Sequence, residues 1–216
     1  MKLYSYYRSS TSYRVRIALN LKRLDYEIQP INLKTGEQRE ADFAALNAYQ
    51  TLPVLMTGGQ QLAQSLAILD WLEQTYPSPS FLPGDAGSAQ LCRELYYAIA
   101  TEIHAPNNLP ILKYLRSEFE ADQEALEKWN ARWIHRTFEP VERRLETHSW
   151  AKDDLLFGKP GLLEIVLIPQ IYNARRWNVD LSTFPNLLKI DAHCAALEAF
   201  KAAHPDAQPD APKDNS

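Results

Sequence analysis

The chain of 216 residues carries only two cysteines, Cys92 and Cys194. Two cysteines cannot build a disulfide framework, and their separation is not a metal-ligand spacing. A reducing compartment is the simple expectation. The five histidines add no metal site, because His135, His148, His193 and His204 share no ligand spacing. Basic residues do not exceed acidic ones: 23 Lys and Arg stand against 27 Asp and Glu, a net charge of −4. No basic excess therefore argues for nucleic acid as a partner. Long hydrophobic runs are missing too. The most apolar stretch, 162–171, is interrupted by Glu164 and Pro169 and is too short to span a bilayer. The opening Met1-Lys2-Leu3-Tyr4-Ser5-Tyr6 reads as a strand and lacks the apolar stretch of a signal peptide. The expected location is the cytoplasm.

What is present is ordinary for a globular enzyme-sized chain: 45% hydrophobic and 23% charged residues. The length suffices to bury one large core or two smaller ones. Two textures divide it. Up to about residue 80, strand candidates (2–6, 24–30, 52–56, 61–63) alternate with helical ones (11–21, 37–47, 65–76). Thr57-Gly58-Gly59-Gln60 between the last two strands is a hairpin signal. The order β-α-β-α-β-β-α predicts an α/β layer. Pro77-Ser78-Pro79 and Leu82-Pro83-Gly84 then punctuate the chain as a linker. Beyond them the pattern is almost wholly helical: 89–97 and onward, 122–146, 162–175 and 185–200. The expected domains are 1–80 and 88–216, with a tail frayed from Pro205. No internal repeat is apparent.

Chemistry concentrates in three places. Ser9-Ser10-Thr11-Ser12 puts four hydroxyl residues where a strand ends and a helix begins. A helix start has unpaired N–H groups and partial positive charge, so it favours an anion. Hydroxyls there can donate to a thiolate or oxyanion and stabilise it. Simple N-capping is the commoner use of such residues, and the flanking Arg8, Arg14 and Arg16 shift the balance only modestly. Leu52-Pro53 opens a strand with a proline, a residue confined to edges and bends; most such bonds are trans, but a cis bond turns the preceding backbone toward a ligand. Gln64-Ser65 marks a second helix start able to hold a carboxylate, or simply to cap. His104 reads as a hydrogen-bonded structural group before a catalyst. Trp129 to Trp133 is an aromatic run at helix spacing that suits packing. Arg175-Arg176 is by default a pair of helix-end charges.

Together these stretches resemble the zeta class of glutathione transferases. Ser9-Ser10-Thr11-Ser12-Tyr13-Arg14-Val15-Arg16-Ile17-Ala18-Leu19 is similar to the signature Ser-Ser-Cys-Ser-x-Arg-Val-Arg-Ile-Ala-Leu. Ile31-Asn32-Leu33, Leu52-Pro53-Val54-Leu55, Gln64-Ser65-Leu66-Ala67-Ile68, Pro169-Gln170 and Val179-Asp180-Leu181 fit as well, so the likeness runs through nearly the whole chain. It implies an α/β thioredoxin-like N-terminal domain that binds glutathione, followed by an all-α C-terminal domain that completes the substrate pocket. Ser9 and Ser10 would face the cofactor sulfur, with Ser9 the preferred hydroxyl donor and Thr11 beside them. The Leu52 backbone before a cis-Pro53 would pair with the cysteinyl part of glutathione, and Gln64 and Ser65 with its γ-glutamyl end. Gln38, His104 and Asn107 would lie near the rest of the cofactor. Arg8 and Arg176 would meet substrate carboxylates. The implied chemistry is glutathione-dependent conversion of maleylacetoacetate to fumarylacetoacetate in tyrosine and phenylalanine breakdown, by a homodimer.

Departures from the signature sharpen this. Thr11 stands where cysteine is usual, so chemistry through a protein thiol is not expected while activation by serine is untouched. Some maleylpyruvate isomerases that resemble the class share threonine here, with His104 and Asn107-Asn108. They carry arginines shortly afterward, where this chain has Leu109 and Pro110. A glutathione-dependent α-haloacid dehalogenase and a non-catalytic glutathione-binding protein are the other readings. Last, the usual Ser/Thr-x-x-Asp cap of the core helix reads Gly161-Leu162-Leu163-Glu164 here. Glycine lacks the capping oxygen, which puts folding robustness in question and leaves the active site alone.

Overall fold

The computed structural model describes residues 1–151 and 154–212, which divide into two compact units, Met1–Ser80 with Ala196–Ser216, and Phe81–Ala195. The first unit is built on a four-stranded mixed sheet of β1 (Lys2–Ser5), β2 (Glu27–Pro30), β3 (Val54–Thr57) and β4 (Gln60–Ala63), in the order β2-β1-β3-β4. β1 runs parallel to β2 and antiparallel to β3, which places Leu3 between Ile28 and Leu55. β3 and β4 form the expected hairpin. Gly58 and Gly59 both take positive φ (53° and 78°), as the tight turn that matches strand twist requires.

Helix α1 (Ser10–Leu21) follows β1 and is buried without interruption from Ser12 to Leu19, so it has no solvent face in its centre. It packs against α3 (Ser65–Thr75) and against α9 (Glu198–Ala203) at the other end of the chain. This accounts for the first difference from expectation. The region 185–200 is not one helix: α8 (Pro185–Ala196) ends, Leu197 is extended, and α9 turns onto α1. There Asn20 Nδ2 donates to the Ala199 carbonyl at 2.9 Å and Arg16 Nε to the Ala203 carbonyl at 2.9 Å. The residues after Ala195 thus group with the sheet unit and not with the helical one. The frayed tail is also corrected. Residues 205–207 form a 3-10 turn, and Gln208 is buried, donating to the carbonyls of Ala202 and His204 at 3.0 and 2.8 Å. The last part of the expected tail, 213–216, lies outside the described residues.

The single helix expected over 37–47 is a 3-10 turn, Glu37–Arg39, followed by α2 (Ala41–Leu46), because Glu40 between them is extended (φ −65°, ψ 151°). At the end of α3, Lys22 has a fully buried side chain that donates to Glu73 Oε2 (2.7 Å) and to the carbonyls of Tyr76 (2.5 Å) and Pro79 (2.7 Å). That ammonium satisfies orphan carbonyls at the helix terminus and fixes the chain leaving it.

The second unit is helical among the described residues: α4 (Ala86–Tyr97), a π-helical segment Ala98–Ile103, α5 (Leu109–Phe119), α6 (Gln123–Thr147), α7 (Leu162–Arg176) and most of α8. α5 is absent from the helices read off the sequence, although Asn108 caps it, accepting from Leu109 N at 2.8 Å, and Pro110 lies in its first turn. α7 is buried all round, from Leu162 to Ile171. The Gly161 cap has a steric cause. A Cβ at Gly161 would lie 2.2 Å from the Phe81 carbonyl oxygen, which accepts from Leu162 N at 3.0 Å. Serine or threonine cannot occupy that place without moving backbone. Half of the reciprocal cap survives: Glu164 Oε2 accepts from Gly161 N at 2.8 Å. Among the described residues, no helix is long and apolar enough to cross a membrane.

Candidate functional site

Ser9 is the N-cap of α1, in extended conformation, and its Oγ accepts from Ser12 N at 3.2 Å. The capping reading of the hydroxyl run is therefore realised, but it uses only an acceptor lone pair. Thr11 Oγ1 donates to the Leu52 carbonyl at 3.0 Å, which commits its one hydrogen. In the 3.0 Å contact between Ser9 Oγ and Thr11 Oγ1, Ser9 is then the donor. The result is a hydroxyl chain Ser9→Thr11→Leu52. It ends on the residue before Pro53, and the Leu52–Pro53 bond is cis. Thr11 thus joins the helix start to the segment that opens β3, across 41 positions of sequence. Sequence reasoning located both ends and missed the link, because nothing in residue type signals a side chain to backbone bond at that distance.

The second helix start lies in the same unit. Gln64 precedes α3 with a left-handed φ of 68°, rare for a residue with a Cβ, and caps it with no side-chain bond. Ser65 is buried, its Oγ accepting from Arg14 Nη1 at 3.3 Å. Arg14 and Arg16 are 1% and 0% exposed. They are internal charges carried on α1 itself. Arg16 donates to Ser5 Oγ (2.9 Å) and to the carbonyls of Tyr7 (2.9 Å) and Tyr6 (3.4 Å). Arg8 is half-buried, its guanidinium 6.0 Å from the Tyr7 ring centre. Gln38 is buried, and its Oε1 has no partner among the described residues.

The helical unit holds the remaining expected residues. His104 is half-buried at the end of the π-helical segment. Asn107 is only 8% exposed, yet neither its amide oxygen nor its nitrogen has a hydrogen-bond partner among the described residues. Buried polar atoms are rarely left so unless a ligand or water meets them. Arg176 is exposed in the last turn of α7, with Nη1 donating to Asn173 Oδ1 at 3.1 Å. Its neighbour differs from the solvated helix-end charge expected: Arg175 Nη2 pairs with Asp191 Oδ2 at 2.6 Å.

The protein's own thiols are inert. Cys92 and Cys194 are fully buried; burial above all, then the nearby Glu164 carboxylate, pushes the Cys92 thiol up to about 12 and Cys194 higher still. No group of His, Cys, Asp and Glu among the described residues suits a metal ion. Within the sheet unit, the hydroxyls and N–H groups at the starts of α1 and α3 suit an anion, and the unpartnered Gln38 Oε1 suits a hydrogen-bond donor.

Comparison with known proteins agrees with this chemistry. Residues 3–80 match the family model described as glutathione S-transferase, N-terminal domain. A maleylpyruvate isomerase of Ralstonia sp is 44% identical over 211 residues, 97% of this chain and 99% of that protein. A maleylacetoacetate isomerase of Pseudomonas aeruginosa is 39% identical over 215 residues, 98% of this chain and 99% of the other. The holo structure of a maleylpyruvate isomerase, described as a bacterial glutathione S-transferase in the zeta class, superimposes with a TM-score of 0.95 at 43% identity, covering 98% of this chain and all (100%) of that one. A maleylacetoacetate isomerase from Anaeromyxobacter dehalogenans with glutathione bound in its active site gives 0.84 at 37% identity, over 98% and 97% of the two chains. The thioredoxin-like layer, its hydroxyl-rich helix start and these full-length likenesses agree: the chain belongs to the glutathione S-transferase family, among the zeta-class maleylacetoacetate and maleylpyruvate isomerases.

Proposed function

We propose that the protein is a glutathione-dependent cis–trans isomerase that converts maleylacetoacetate to fumarylacetoacetate, in the cytoplasmic degradation of tyrosine and phenylalanine. The observation that carries this is the hydroxyl chain Ser9→Thr11→Leu52 at an α-helix start, in a chain whose own thiols are buried. Bound glutathione supplies a thiol nucleophile that adds to the cis double bond and leaves after rotation about the resulting single bond. Ser9 turns its hydroxyl hydrogen from Thr11 to the sulfur and, with the N–H groups opening α1, holds it as thiolate. Ser10 lies next to it as the alternative donor. Thr11 keeps the Leu52 carbonyl in place for the backbone of the cofactor, beside Pro53. Gln64 and Ser65 at the start of α3 bind its γ-glutamyl carboxylate. Gln38, His104 and Asn107 bind the rest.

Arg8 and Arg176 hold the substrate's anionic groups, a guanidinium being able to grip a carboxylate through two parallel bonds. The working enzyme is a homodimer. Direct assay of cis-to-trans conversion with and without glutathione tests the reading; binding of glutathione with no turnover would leave a ligand-binding protein in its place.

Maleylpyruvate is the second substrate to consider, favoured by the 44% identity to the Ralstonia enzyme and by Thr11. Against it stand Leu109 and Pro110, which open α5 without the positive charge that the second reading expects. The ratio of kcat/KM for the two substrates decides between them.

A further inference from the structure

The start of α1 is held from a direction that residue pattern does not reveal. Tyr7, two positions before Ser9, is fixed at both of its backbone groups. Its N–H donates to Asp210 Oδ2 at 2.8 Å, across 203 positions of sequence, and its carbonyl accepts from Arg16 Nη2 at 2.9 Å. Arg16 reaches the Ala203 carbonyl through Nε, so one buried guanidinium ties the Tyr6–Tyr7 turn to the returning C-terminal segment. Ser9 N closes that turn on the Tyr6 carbonyl at 3.0 Å. The segment itself is set by Gln208, and Ala211 packs against the cluster of Tyr6, Tyr7, Leu52 and Val54. That cluster includes Leu52, whose carbonyl is the end of the hydroxyl chain.

Asp210 is not there to neutralise a cation: among the described residues no Lys, Arg or His forms an ion pair with it. Its other oxygen, Oδ1, is buried and has no hydrogen-bond partner among the described residues. What remains as its use is the acceptor it presents to Tyr7 N.

We propose that Asp210 is a positioning residue for Ser9. The C-terminal strap 205–212 clamps Tyr7, and through it sets the Ser9 hydroxyl against the thiol to be activated. The proposal rests on the glutathione reading of the site. It assigns a part in the chemistry to residues some 200 positions downstream that carry no catalytic group of their own.

The test uses the full-length protein with reduced glutathione as probe, following thiolate formation by ultraviolet absorbance against pH, together with isomerase turnover and melting temperature. Asp210→Ala removes the acceptor. The thiol of bound glutathione should titrate at higher pH, and kcat below that pH should fall about three- to tenfold, the scale of one lost hydrogen bond, with KM unchanged. Asp210→Asn keeps an acceptor of the same length and should restore both values. Asp210→Glu keeps the charge but lengthens the side chain by one methylene, and should show a partial loss. Wild-type titration and turnover in Asp210→Ala, even with a lower melting temperature, would mean a purely structural contact and overturn the proposal. Equal impairment in Asp210→Asn, or none in Asp210→Glu, would overturn it too, since charge rather than acceptor geometry would then matter. If the wild-type protein binds glutathione with no lowering of its thiol pKa, the reading of the site fails, and Asp210 has nothing to position.

Discussion

Glu164 makes the stability of the helical unit depend on pH in a direction opposite to that of most carboxylates. It lies at the third position of α7 with no solvent exposure. One oxygen accepts from Gly161 N at 2.8 Å, and the other, Oε1, has no partner among the described residues. Burial raises its pKa from 4.5 to about 7, and the Gly161 N–H only partly opposes this. Between those two values the native protein holds a proton that the unfolded chain has released. Stability therefore falls as pH rises through this window. The contribution is fully present below the unfolded value of 4.5 and lost above about 7. At 1.36 kcal/mol per unit the whole effect is about 3 kcal/mol, a large share of the 5–15 kcal/mol typical of a folded domain.

Urea denaturation of wild type and Glu164→Gln, at intervals from about pH 5 to pH 8, isolates it, because every other carboxylate titrates in both proteins. The glutamine keeps an acceptor for Gly161 N but leaves its buried NH2 without a partner. It should be the less stable protein at the acid end, by about 1–3 kcal/mol, and should draw level or pass wild type at the alkaline end. Two stability curves that run parallel across the range would refute the argument, since Glu164 would then have the same proton affinity folded and unfolded.

Gly161→Ala or Gly161→Ser, which would supply the family's capping residue, should destabilise by about 2 kcal/mol or more, because the new Cβ meets the Phe81 carbonyl at 2.2 Å; a raised melting temperature would contradict this. Ser9→Ala should raise the thiol pKa of bound glutathione by about one to two units and cut turnover at neutral pH. If Ser10→Ala does so instead, the donor is Ser10. Thr11→Val removes the bond to the Leu52 carbonyl and should weaken glutathione binding by about 1 kcal/mol, measured by calorimetry. Arg176→Ala should raise KM for a dianionic substrate with little change in glutathione affinity. Arg175→Ala should mainly lower the melting temperature, because it leaves Asp191 unpaired; matching kinetics for the two variants would count against a substrate role for Arg176.

The sequence by itself determined the two textures, the hairpin at Gly58-Gly59 and the two helix starts at Ser9-Ser10 and Gln64-Ser65, because each is a local property of a few adjacent residues. Periodicity marks helices, paired glycines mark a tight turn, and consecutive hydroxyls mark a helix start. It could not determine what those stretches lean on. The bonds from Thr11 to Leu52, from Arg16 to Ala203 and from Tyr7 to Asp210 join residues 41, 187 and 203 positions apart, between groups that no spacing rule relates. The break at Leu197 has the same origin: it exists so that α9 can cover α1, a requirement set by packing and not by helix propensity. Composition suggested that the last residues were loose, since prolines and charges disfavour regular structure. Tertiary structure decided otherwise for 205–212, where a 3-10 turn forms and the side chains of Gln208 and Asp210 bond to the Ala202 carbonyl and to Tyr7 N. Gly161 shows the same division. In sequence it is a missing cap, and only the carbonyl of Phe81 lying against it turns the absence of a side chain into a requirement.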